Sequence, residues 1–422
     1  MNKAAITTLG CKVNKCDSAV IYGLLKRSGY DIVPFHQRAD IYIINTCTVT
    51  QRADYQSRQL IKRSYRLNPS ARIIVTGCYA QRAPQDIKAI PGVDHVVGIG
   101  DVGKLVRAIE CPSERDVLQD TPDVATVLPE HTRAFLKVQD GCDSYCSYCV
   151  IPHTRGKSRS VSQEEIMRQI LRLTESGYKE IVLTGIHLGA YGFDLRPSTN
   201  LTNLIRSMDE KSLPCRIRLS SIEPMEFNDD LIDIISSSPT ICNHLHIPLQ
   251  SGDDGILKRM RRPYDSIFFK EQTARLISAI PDLNIGLDVI VGFPGETEEN
   301  FENTVRFIED LPIGYLHIFP YSRRPGTPAA DFSHQVDSRI IKERARIMRR
   351  LGNKKKEEFY MGFHGKVLSV LIESKREKET GFLKGFSQNY IPVLVETGDN
   401  NINKEIPITV TQVRDGRVFG NS

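Results

Sequence analysis

Three closely spaced cysteines are the strongest chemical signal in the sequence. Cys142, Cys146 and Cys149 form a C-x3-C-x2-C run directly after a short apolar stretch. Three thiolates this close together can bind three irons of a 4Fe-4S cluster, which takes cysteine ligands. A fourth cysteine is missing from the run, so one iron would stay open to a substrate or cofactor. Zinc is the alternative interpretation, because His153 offers the fourth ligand that a structural zinc site requires.

A second set of cysteines lies in the N-terminal part of the chain. Cys11, Cys47 and Cys78 each come directly after a predicted β-strand. The carboxyl ends of parallel strands share one edge of an open α/β sheet, where ligands collect, so we expect the three thiols to meet there around a second cluster. The other interpretation is that each thiol is buried separately as a small apolar side chain.

The elements that position these thiols fall into three blocks, with predicted boundaries at 1–128, 129–358 and 359–422. In the first block, apolar runs alternate with helical patterns, which predicts a Rossmann-like α/β domain with parallel strands. The predicted strands are Ala4–Leu9, Asp40–Asn45, Arg72–Thr76 and His95–Val97, and the predicted helices are Asp17–Arg27, Thr50–Tyr65 and Ala80–Ala89. The segment Cys111–Leu128 has little periodicity and is predicted to be a linker.

The second block repeats the strand–helix rhythm about six times, which predicts a partial TIM barrel with its chemistry at the C-terminal ends of the strands. Its predicted strands are Ala134–Val138, Glu180–Leu183, Arg216–Leu219, His244–Ile247, Asn284–Val291 and Tyr315–Phe319. The third block opens with a basic helix and continues with short alternating strands, which predicts a small all-β barrel. These elements are the helix Ser338–Phe359 and the strands Lys366–Ile372, Tyr390–Glu396, Ile406–Val413 and Arg417–Phe419.

Composition places the chain among soluble proteins of more than one domain, with 422 residues, 40% of them hydrophobic and 25% charged. No apolar run approaches the roughly 18 residues of a membrane span, and the N-terminus is too polar for a signal peptide. We therefore expect a cytoplasmic protein with no membrane partner, in which ten cysteines indicate metal ligands rather than disulfides. From Ser338 onward, 17 Lys and Arg residues face 10 Asp and Glu residues, which indicates either an acidic partner such as nucleic acid or a solvated basic surface.

The run around Cys142 resembles the signature of radical S-adenosylmethionine (SAM) enzymes, including the aromatic residue before its last cysteine. The resemblance implies that the three cysteines bind a 4Fe-4S cluster. Its open iron chelates SAM, which one electron cleaves to methionine and a 5′-deoxyadenosyl radical. The segments Arg218–Pro224, His246–Gly252 and Asp288–Gly295 also resemble that family. The family's usual Gly-Gly-Glu motif is absent, and Thr184-Gly185-Ile186-His187 stands in its place. The SAM contacts implied by the resemblance are Tyr148, Gly185, Ser220, Glu223, Gln250, Asp288 and Gly292.

Over its whole length the chain resembles the methylthiotransferases, which combine a cluster domain, a radical SAM barrel and a C-terminal TRAM barrel that binds RNA. The resemblance implies that Cys11, Cys47 and Cys78 bind an auxiliary 4Fe-4S cluster that takes part in sulfur delivery. The segment Thr8–Asn14 is similar to the subgroup that modifies threonylcarbamoyladenosine, and Arg155–Ser160 and Leu183–Gly189 agree. On the TRAM barrel, the implied RNA contacts are Lys375, Arg376, Lys378 and Lys384.

The resemblance therefore implies that the chain adds a methylthio group to C2 of N6-threonylcarbamoyladenosine at position 37 of tRNA. Two 4Fe-4S clusters and SAM are the implied cofactors, and the partners are the tRNA anticodon stem-loop, an electron donor and a sulfur source. A methylthiotransferase that acts on isopentenyladenosine or on an aspartate of a ribosomal protein is an alternative. A non-catalytic iron–sulfur protein that binds RNA and senses redox state is another.

Overall fold

The computed structural model describes residues 2–109 and 132–421, which form an N-terminal α/β unit, a central partial barrel and a small C-terminal β-barrel. This is the order of folds that the sequence predicts. The predicted linker Cys111–Leu128 lies outside the described residues. None of the helices in the described part of the chain has both the length and the hydrophobicity that a membrane crossing needs.

The N-terminal unit is a parallel sheet of five strands in the order β2-β1-β3-β4-β5, with helices on both faces. Its strands are β1 (Lys3–Thr8), β2 (Asp31–Ile32), β3 (Ile41–Thr46), β4 (Arg72–Gly77) and β5 (His95–Val96). Its helices are α1 (Lys12–Arg27), α2 (Gln51–Leu67), α3 (Cys78–Arg82), α4 (Pro84–Lys88) and α5 (Val102–Ile109). The strand order reverses between β1 and β3, so the carboxyl ends of these two strands flank the topological switch point of the sheet.

Strand β3 shows why this sheet forms. All six of its residues are buried, and successive side chains enter opposite faces of the sheet. Ile41 and Ile43 pack with apolar residues of α1 and α5, whereas Tyr42 and Ile44 pack against α2 and α3 on the other face. A strand covered on both faces appears in sequence as a continuous apolar run, which is typical of parallel sheets.

The central unit is a wall of six parallel strands in two hydrogen-bonded sheets, β10-β9-β6 and β11-β12-β13, which confirms the predicted partial barrel. Isolated parallel bridges from Ile217 to Ile241 and from Ser221 to His246 join the two sheets. The strands are β6 (Arg133–Lys137), β7 (Gln139–Asp140), β8 (Arg159–Ser160), β9 (Glu180–Thr184), β10 (Arg216–Leu219), β11 (His244–Gln250), β12 (Asn284–Val291) and β13 (Tyr315–Pro320). The helices are α6 (Ile151–Arg155), α7 (Gln163–Glu175), α8 (Leu201–Glu210), α9 (Asp229–Ser237), α10 (Asp254–Arg259), α11 (Ser266–Ala279) and α12 (Glu298–Asp310).

A long helix, α13 (Ser338–Met361), packs along β13 and leads into the C-terminal unit. That unit is a closed barrel of five strands in the order β14-β15-β16-β18-β17, which confirms the predicted all-β barrel. Its strands are β14 (Val367–Arg376), β15 (Leu383–Ser387), β16 (Pro392–Val395), β17 (Glu405–Arg414) and β18 (Arg417–Asn421).

The C-terminal barrel covers the end of the central barrel at which the strands begin. Buried Glu180 at the start of β9 pairs with Arg216 and Arg218 of β10. Arg216 donates to the carbonyl oxygen of Phe386 at 2.7 Å, and Arg218 donates to the carbonyl oxygen of Gln388 at 2.7 Å. The opposite end of the barrel, where the strands finish, therefore stays free for the chemistry.

Two predicted helices differ from the observed ones. Helix α1 begins at Lys12, directly after Cys11, rather than at the predicted Asp17. The predicted helix Ala80–Ala89 is in fact two short helices, α3 and α4, that meet at Pro84. Proline lacks the backbone N–H and restricts the residue before it, so the helix is interrupted there.

The C-terminal barrel also differs from the prediction in detail. Strand β15 is missing from the prediction, because Lys384 and Gly385 have low β-propensity. The predicted strand Tyr390–Glu396 begins only at Pro392, since Tyr390 has a φ of 65° and belongs to the preceding turn.

Candidate active site

The N-terminal cysteines lie together at the carboxyl edge of the sheet. Cys11 follows β1, Cys47 follows β3 and Cys78 opens α3 after β4. Asn14 of α1 connects the three strand ends. Its side-chain amide donates to the carbonyl oxygens of Leu9 at 2.7 Å and Thr46 at 3.0 Å, and its Oδ1 accepts from the Cys78 thiol at 3.8 Å. The three thiols therefore surround the switch point of the sheet, as the sequence predicts.

Glycine makes this close approach of the strand ends possible. Gly10 has a φ of 98°, and a Cβ atom there would lie 2.9 Å from the Sγ of Cys47. Gly77 has a φ of 90°, and its Cβ would lie 2.3 Å from the Oδ1 of Asn45. Both positions combine left-handed backbone with a lack of space, so a larger residue would push the strand ends apart.

The thiols of this site are suited to a metal centre. Burial raises the pKa of Cys47, and it raises the pKa of Cys78 to about 12. A thiol in such surroundings becomes a thiolate when a cation or a metal compensates its charge. Arg155 of the central barrel supplies one positive charge close to Cys78.

Cys142, Cys146 and Cys149, the barrel triad, lie in a single loop between β7 and α6. Ser147 holds the loop in place, since its N–H donates to the carbonyl oxygen of Met260 at 3.0 Å and its hydroxyl donates to that of Arg259 at 2.8 Å. Within the loop, the N–H of Cys149 donates to the carbonyl oxygen of Cys146 at 3.0 Å. The loop thus folds as a local unit that is attached to α10.

Two basic side chains contact the thiols of this loop. Arg262 donates to the Sγ of Cys146 at 3.3 Å and forms an ion pair with Glu223. His187 lies between Cys142, whose Sγ is 3.7 Å from Nδ1, and Glu226, whose Oε1 is 2.6 Å from Nε2. Burial lowers the pKa of His187, but the contacts with Cys142 and Glu226 outweigh it and raise the pKa to about 10.

Zinc fits neither triad well. Thiolates around tetrahedral zinc, with bonds of about 2.3 Å, lie within about 4 Å of one another. In the described ranges, the one group of His, Cys, Asp and Glu ligand atoms that all lie within 4.8 Å of each other is His246, Asp288 and His317. His153 is exposed and packs edge-on against the ring of Tyr145. The wider spacing of the thiols within each triad suits three irons of a cluster better than zinc.

A cavity of about 170 Å³ lies between the loop of the barrel triad and the N-terminal unit. Val49 and Thr50, which follow Cys47 and Thr48 in the chain, line this cavity together with Cys149 of the barrel triad. Buried Arg324 connects the segment after β13 to the N-terminal unit, since it donates to Thr48 at 2.8 Å and to Asp54 at 2.6 Å.

A second connection between the triads runs through Arg155. Its buried guanidinium donates to Asp140 at 2.9 Å, two residues before Cys142, and to Asp17 of α1 at 3.0 Å. It also donates to Asn14, which contacts Cys78. One side chain therefore ties the loop of the barrel triad to the helix that organises the N-terminal triad.

The structure brings together only some of the predicted SAM contacts. Tyr148, Gln250 and Asp288 line the cavity beside Cys149. The N–H of Gly185 donates to the hydroxyl of Ser220 at 3.3 Å, so these two lie together at neighbouring strand ends. Glu223 lies near Tyr148 and pairs with Arg262, which donates to Cys146. Gly292 instead packs against Ile341 of α13, where a Cβ would come within 2.3 Å of Cγ1.

The predicted RNA contacts occupy different environments on the C-terminal barrel. Lys375 and Lys378 are exposed, whereas Arg376 pairs with Asp399 and Lys384 lies 4.8 Å above the ring of Phe386. The neighbouring aromatic residue Tyr390 faces the central barrel.

Several residues of the site have no role in the predictions from sequence. Most of them lie within the motifs named above. Lys12 and Asn14 belong to the segment after Cys11, Arg155 begins the Arg155–Ser160 segment, and His187 ends the stretch at the second barrel strand. Burial lowers the pKa of Lys12, whose charged neighbours include Arg218 and Asp288 inside the barrel. Arg262 has no sequence signal.

Two family models match this chain. The uncharacterized protein family UPF0004 matches residues 3–98, which contain the N-terminal sheet, and the radical SAM superfamily matches residues 136–308 of the central barrel. The fold of the barrel and the position of its cysteine loop agree with the second match.

Curated relatives align with this chain over nearly its whole length. Threonylcarbamoyladenosine tRNA methylthiotransferase MtaB of Bacillus subtilis (strain 168) is 42% identical over 97% of this chain and 94% of its own length. The protein of the same name from Aquifex aeolicus (strain VF5) is 39% identical over 97% of this chain and 100% of its own length. A tRNA-2-methylthio-N(6)-dimethylallyladenosine synthase of Pelotomaculum thermopropionicum is 32% identical over 100% of this chain and 97% of its own length. This chain therefore belongs to the radical SAM methylthiotransferases, in the family of the threonylcarbamoyladenosine enzymes.

Solved structures share the fold at low sequence identity. The radical SAM methyltransferase TsrM from Kitasatospora setae, solved with cobalamin and a [4Fe-4S] cluster, is 15% identical, with a TM-score of 0.57 over 78% of this chain and 74% of that chain. The cobalamin-dependent SAM radical enzyme OxsB is 13% identical, with a TM-score of 0.51 over 85% of this chain and 62% of that chain.

Proposed function

We propose that this chain adds a methylthio group to C2 of N6-threonylcarbamoyladenosine at position 37, next to the anticodon of tRNA. The observation that carries this proposal is its alignment, over nearly the whole length, with enzymes named for threonylcarbamoyladenosine tRNA. The two cysteine triads, connected through Arg155 and Asn14, support it, because methylthiolation joins radical chemistry to sulfur transfer.

The two triads are the proposed ligands of two 4Fe-4S clusters. Cys142, Cys146 and Cys149 would hold the cluster whose open iron binds SAM, and Cys11, Cys47 and Cys78 would hold the auxiliary cluster. When bound, these groups supply the electron, the carbon radical and the sulfur site that an unreactive adenine C–H bond requires.

Around the thiols, the chain supplies compensating positive charge. Arg262 donates to Cys146, protonated His187 faces Cys142, and Arg155 lies near Cys78. Hydrogen bonds of this kind orient metal ligands and stabilise their charged form. Each triad thus has at least one basic residue beside its thiols.

The cavity wall offers hydrogen-bond acceptors to a ligand. Although burial opposes ionisation, His246 and His317 hold the pKa of Asp288 well below its usual range. An ionised carboxylate accepts hydrogen bonds from hydroxyl or amino groups. We place SAM here, in contact with Tyr148, Gln250 and Asp288. Gly185, Ser220, Glu223 and Gly292 are proposed as further contacts.

The proposed macromolecular partner is the anticodon stem-loop of tRNA, and the C-terminal residues 359–422 would bind it as a TRAM domain. Exposed Lys375 and Lys378 are placed to contact phosphates, with Arg376 and Lys384 beside them. Residues 1–128 and 129–358 would form the cluster domain and the radical SAM domain. An electron donor and a sulfur source complete the reaction, which we place in the cytoplasm.

Mass spectrometry of tRNA nucleosides from cells with and without the gene tests this function. The proposal predicts that 2-methylthio-threonylcarbamoyladenosine disappears and its precursor accumulates. Loss of the methylthio derivative of isopentenyladenosine alone would assign the substrate of the dimethylallyladenosine synthases instead. An unchanged set of tRNA nucleosides would contradict a tRNA substrate and direct attention to ribosomal proteins.

A further inference from the structure

The edge strand β13 presents a row of rings to the interior of the barrel. Tyr315, His317 and Phe319 alternate along the strand and so share one face. The ring centroids of Tyr315 and His317 are 5.2 Å apart, and those of His317 and Phe319 are 6.5 Å apart. The side chain of His317 is 55% exposed and Phe319 is 42% exposed, so the upper part of this row is open to a ligand.

A pocket of about 390 Å³ lies beside the lower part of the row, between β13, α13 and the turn after β15. On α13 it is lined by Arg349, Asn353, Lys356 and Tyr360, whose spacing places them on one face of the helix. Tyr390 and Phe386 of the C-terminal barrel line the opposite side. Its size is in the range of small-ligand sites.

The two cations of this pocket differ from several other cations on α13. Arg344 pairs with Glu296 and Glu298, Arg346 pairs with Glu343, and Lys355 donates to the carbonyl oxygen of Glu309. In the part of the chain that the structure describes, Arg349 and Lys356 have no carboxylate partner. The Nζ of Lys356 lies 5.7 Å from the ring centroid of Tyr360. Two unpaired cations in one pocket favour an anionic ligand.

One hydrogen bond connects the wall of this pocket to the wall of the cavity beside Cys149. His317 lines the pocket, and its Nδ1 lies 3.3 Å from the Oδ1 of Asp288, which lines the cavity together with Cys149. Phe319, the next ring on the strand face, also lines the cavity. A ligand that follows the rings therefore extends from the cavity into the basic pocket.

We propose that this pocket binds the threonylcarbamoyl substituent of the substrate adenosine, with Arg349 and Lys356 on its carboxylate and the base along His317 and Phe319. The inference rests on the proposed function and adds the residues that select the substituent. A neutral dimethylallyl group would leave both cations without a counter-charge, so the pocket discriminates by charge rather than by size.

Binding of three anticodon stem-loop RNAs to the reconstituted enzyme tests the inference. The RNAs carry threonylcarbamoyladenosine, its methyl ester or unmodified adenosine at the target position, and fluorescence anisotropy gives each Kd. We expect the wild type to bind the acid about tenfold more tightly than the ester, as for a charge-assisted hydrogen bond. The double variant Arg349→Gln/Lys356→Gln should reduce this ratio to less than about twofold, and Lys356→Arg should retain it.

The matched control is Arg350→Gln/Lys354→Gln, which removes the same two charges from α13 outside the pocket. It should retain the tenfold ratio even if all three RNAs bind more weakly through lost phosphate contacts. The inference is overturned if the wild type binds acid and ester equally, or if the pocket variant retains the ratio. Product formation by the wild type, measured on the same acid RNA by mass spectrometry, reports separately on the proposed function.

Discussion

The two cysteine triads are assembled in opposite ways. The barrel triad is contained in one loop, which Ser147 attaches to α10. The N-terminal triad is assembled from three separate strand ends, and Asn14 and the register of the sheet hold it together. One site is therefore a local structure and the other is a product of tertiary folding. We expect the barrel site to depend on its own loop and the N-terminal site to depend on contacts from distant parts of the chain.

Removal of one thiol from each triad should have the largest effect and should separate their roles. Cys146→Ala and Cys47→Ala should each abolish methylthiolation and each lower bound iron from about eight to about four atoms per chain. Only Cys146→Ala should also abolish SAM cleavage, because the cluster proposed to bind SAM is assigned to the barrel triad. Iron analysis and chromatography of 5′-deoxyadenosine measure both quantities. Loss of SAM cleavage in Cys47→Ala, with the other four irons retained, would contradict this division.

Arg155→Gln should have the next largest effect, and it should fall on the N-terminal site. The substitution leaves buried Asp140 without its guanidinium partner, which costs about 3 kcal/mol of unfolding free energy. It also removes the contact with Asn14, so the N-terminal triad should lose iron to a chelator several times faster than the barrel triad. Chemical denaturation and timed chelation of each cluster, with exposed Arg159→Gln as the control, provide the measurement. Equal loss rates at the two sites would show that Arg155 does not support the N-terminal one.

A matched pair of glycine substitutions tests whether each triad depends on its own backbone. Gly10 precedes Cys11 with a φ of 98°, and Gly141 precedes Cys142 with a φ of 76°. Alanine at either position costs at least about 1 kcal/mol, because the backbone is left-handed and space is lacking. Gly10→Ala should reduce iron only at the N-terminal triad, and Gly141→Ala only at the barrel triad. Electron paramagnetic resonance of the reduced proteins distinguishes the two clusters, and a signal lost from the wrong site would refute the assignment.

The smallest effect on either triad is expected from Glu180, at the far end of the barrel. Burial opposes its ionisation, but Arg218, Arg216 and Arg133 lower the pKa of Glu180 to about 2, from an ordinary value of 4.5. Its contribution to stability is therefore complete above about pH 4.5 and is lost as the pH falls toward 2. Denaturation between about pH 5 and pH 3 should show a steeper loss of stability in the wild type than in Glu180→Gln. Parallel curves would contradict the role of this carboxylate.

The comparison also explains what the sequence could predict. The barrel triad was recognisable because its three cysteines are close together in the sequence. The N-terminal triad was recognisable because each of its cysteines directly follows a predicted strand. The contacts that join the sites were not predictable, since Arg155 and Asn14 are distant in sequence and meet only after the two units dock. The basic pocket was equally hidden, because Arg349 and Lys356 are indistinguishable by sequence from the paired cations on the same helix. Packing of α13 against β13 and the C-terminal barrel gives those two residues their place.

The most direct test of the account is an anaerobic reaction of the reconstituted chain with a stem-loop RNA that carries deuterium at C2 of threonylcarbamoyladenosine. The account predicts that the RNA gains a methylthio group and that the deuterium appears in 5′-deoxyadenosine. Cleavage of SAM with no deuterium transfer and no modified RNA would contradict it.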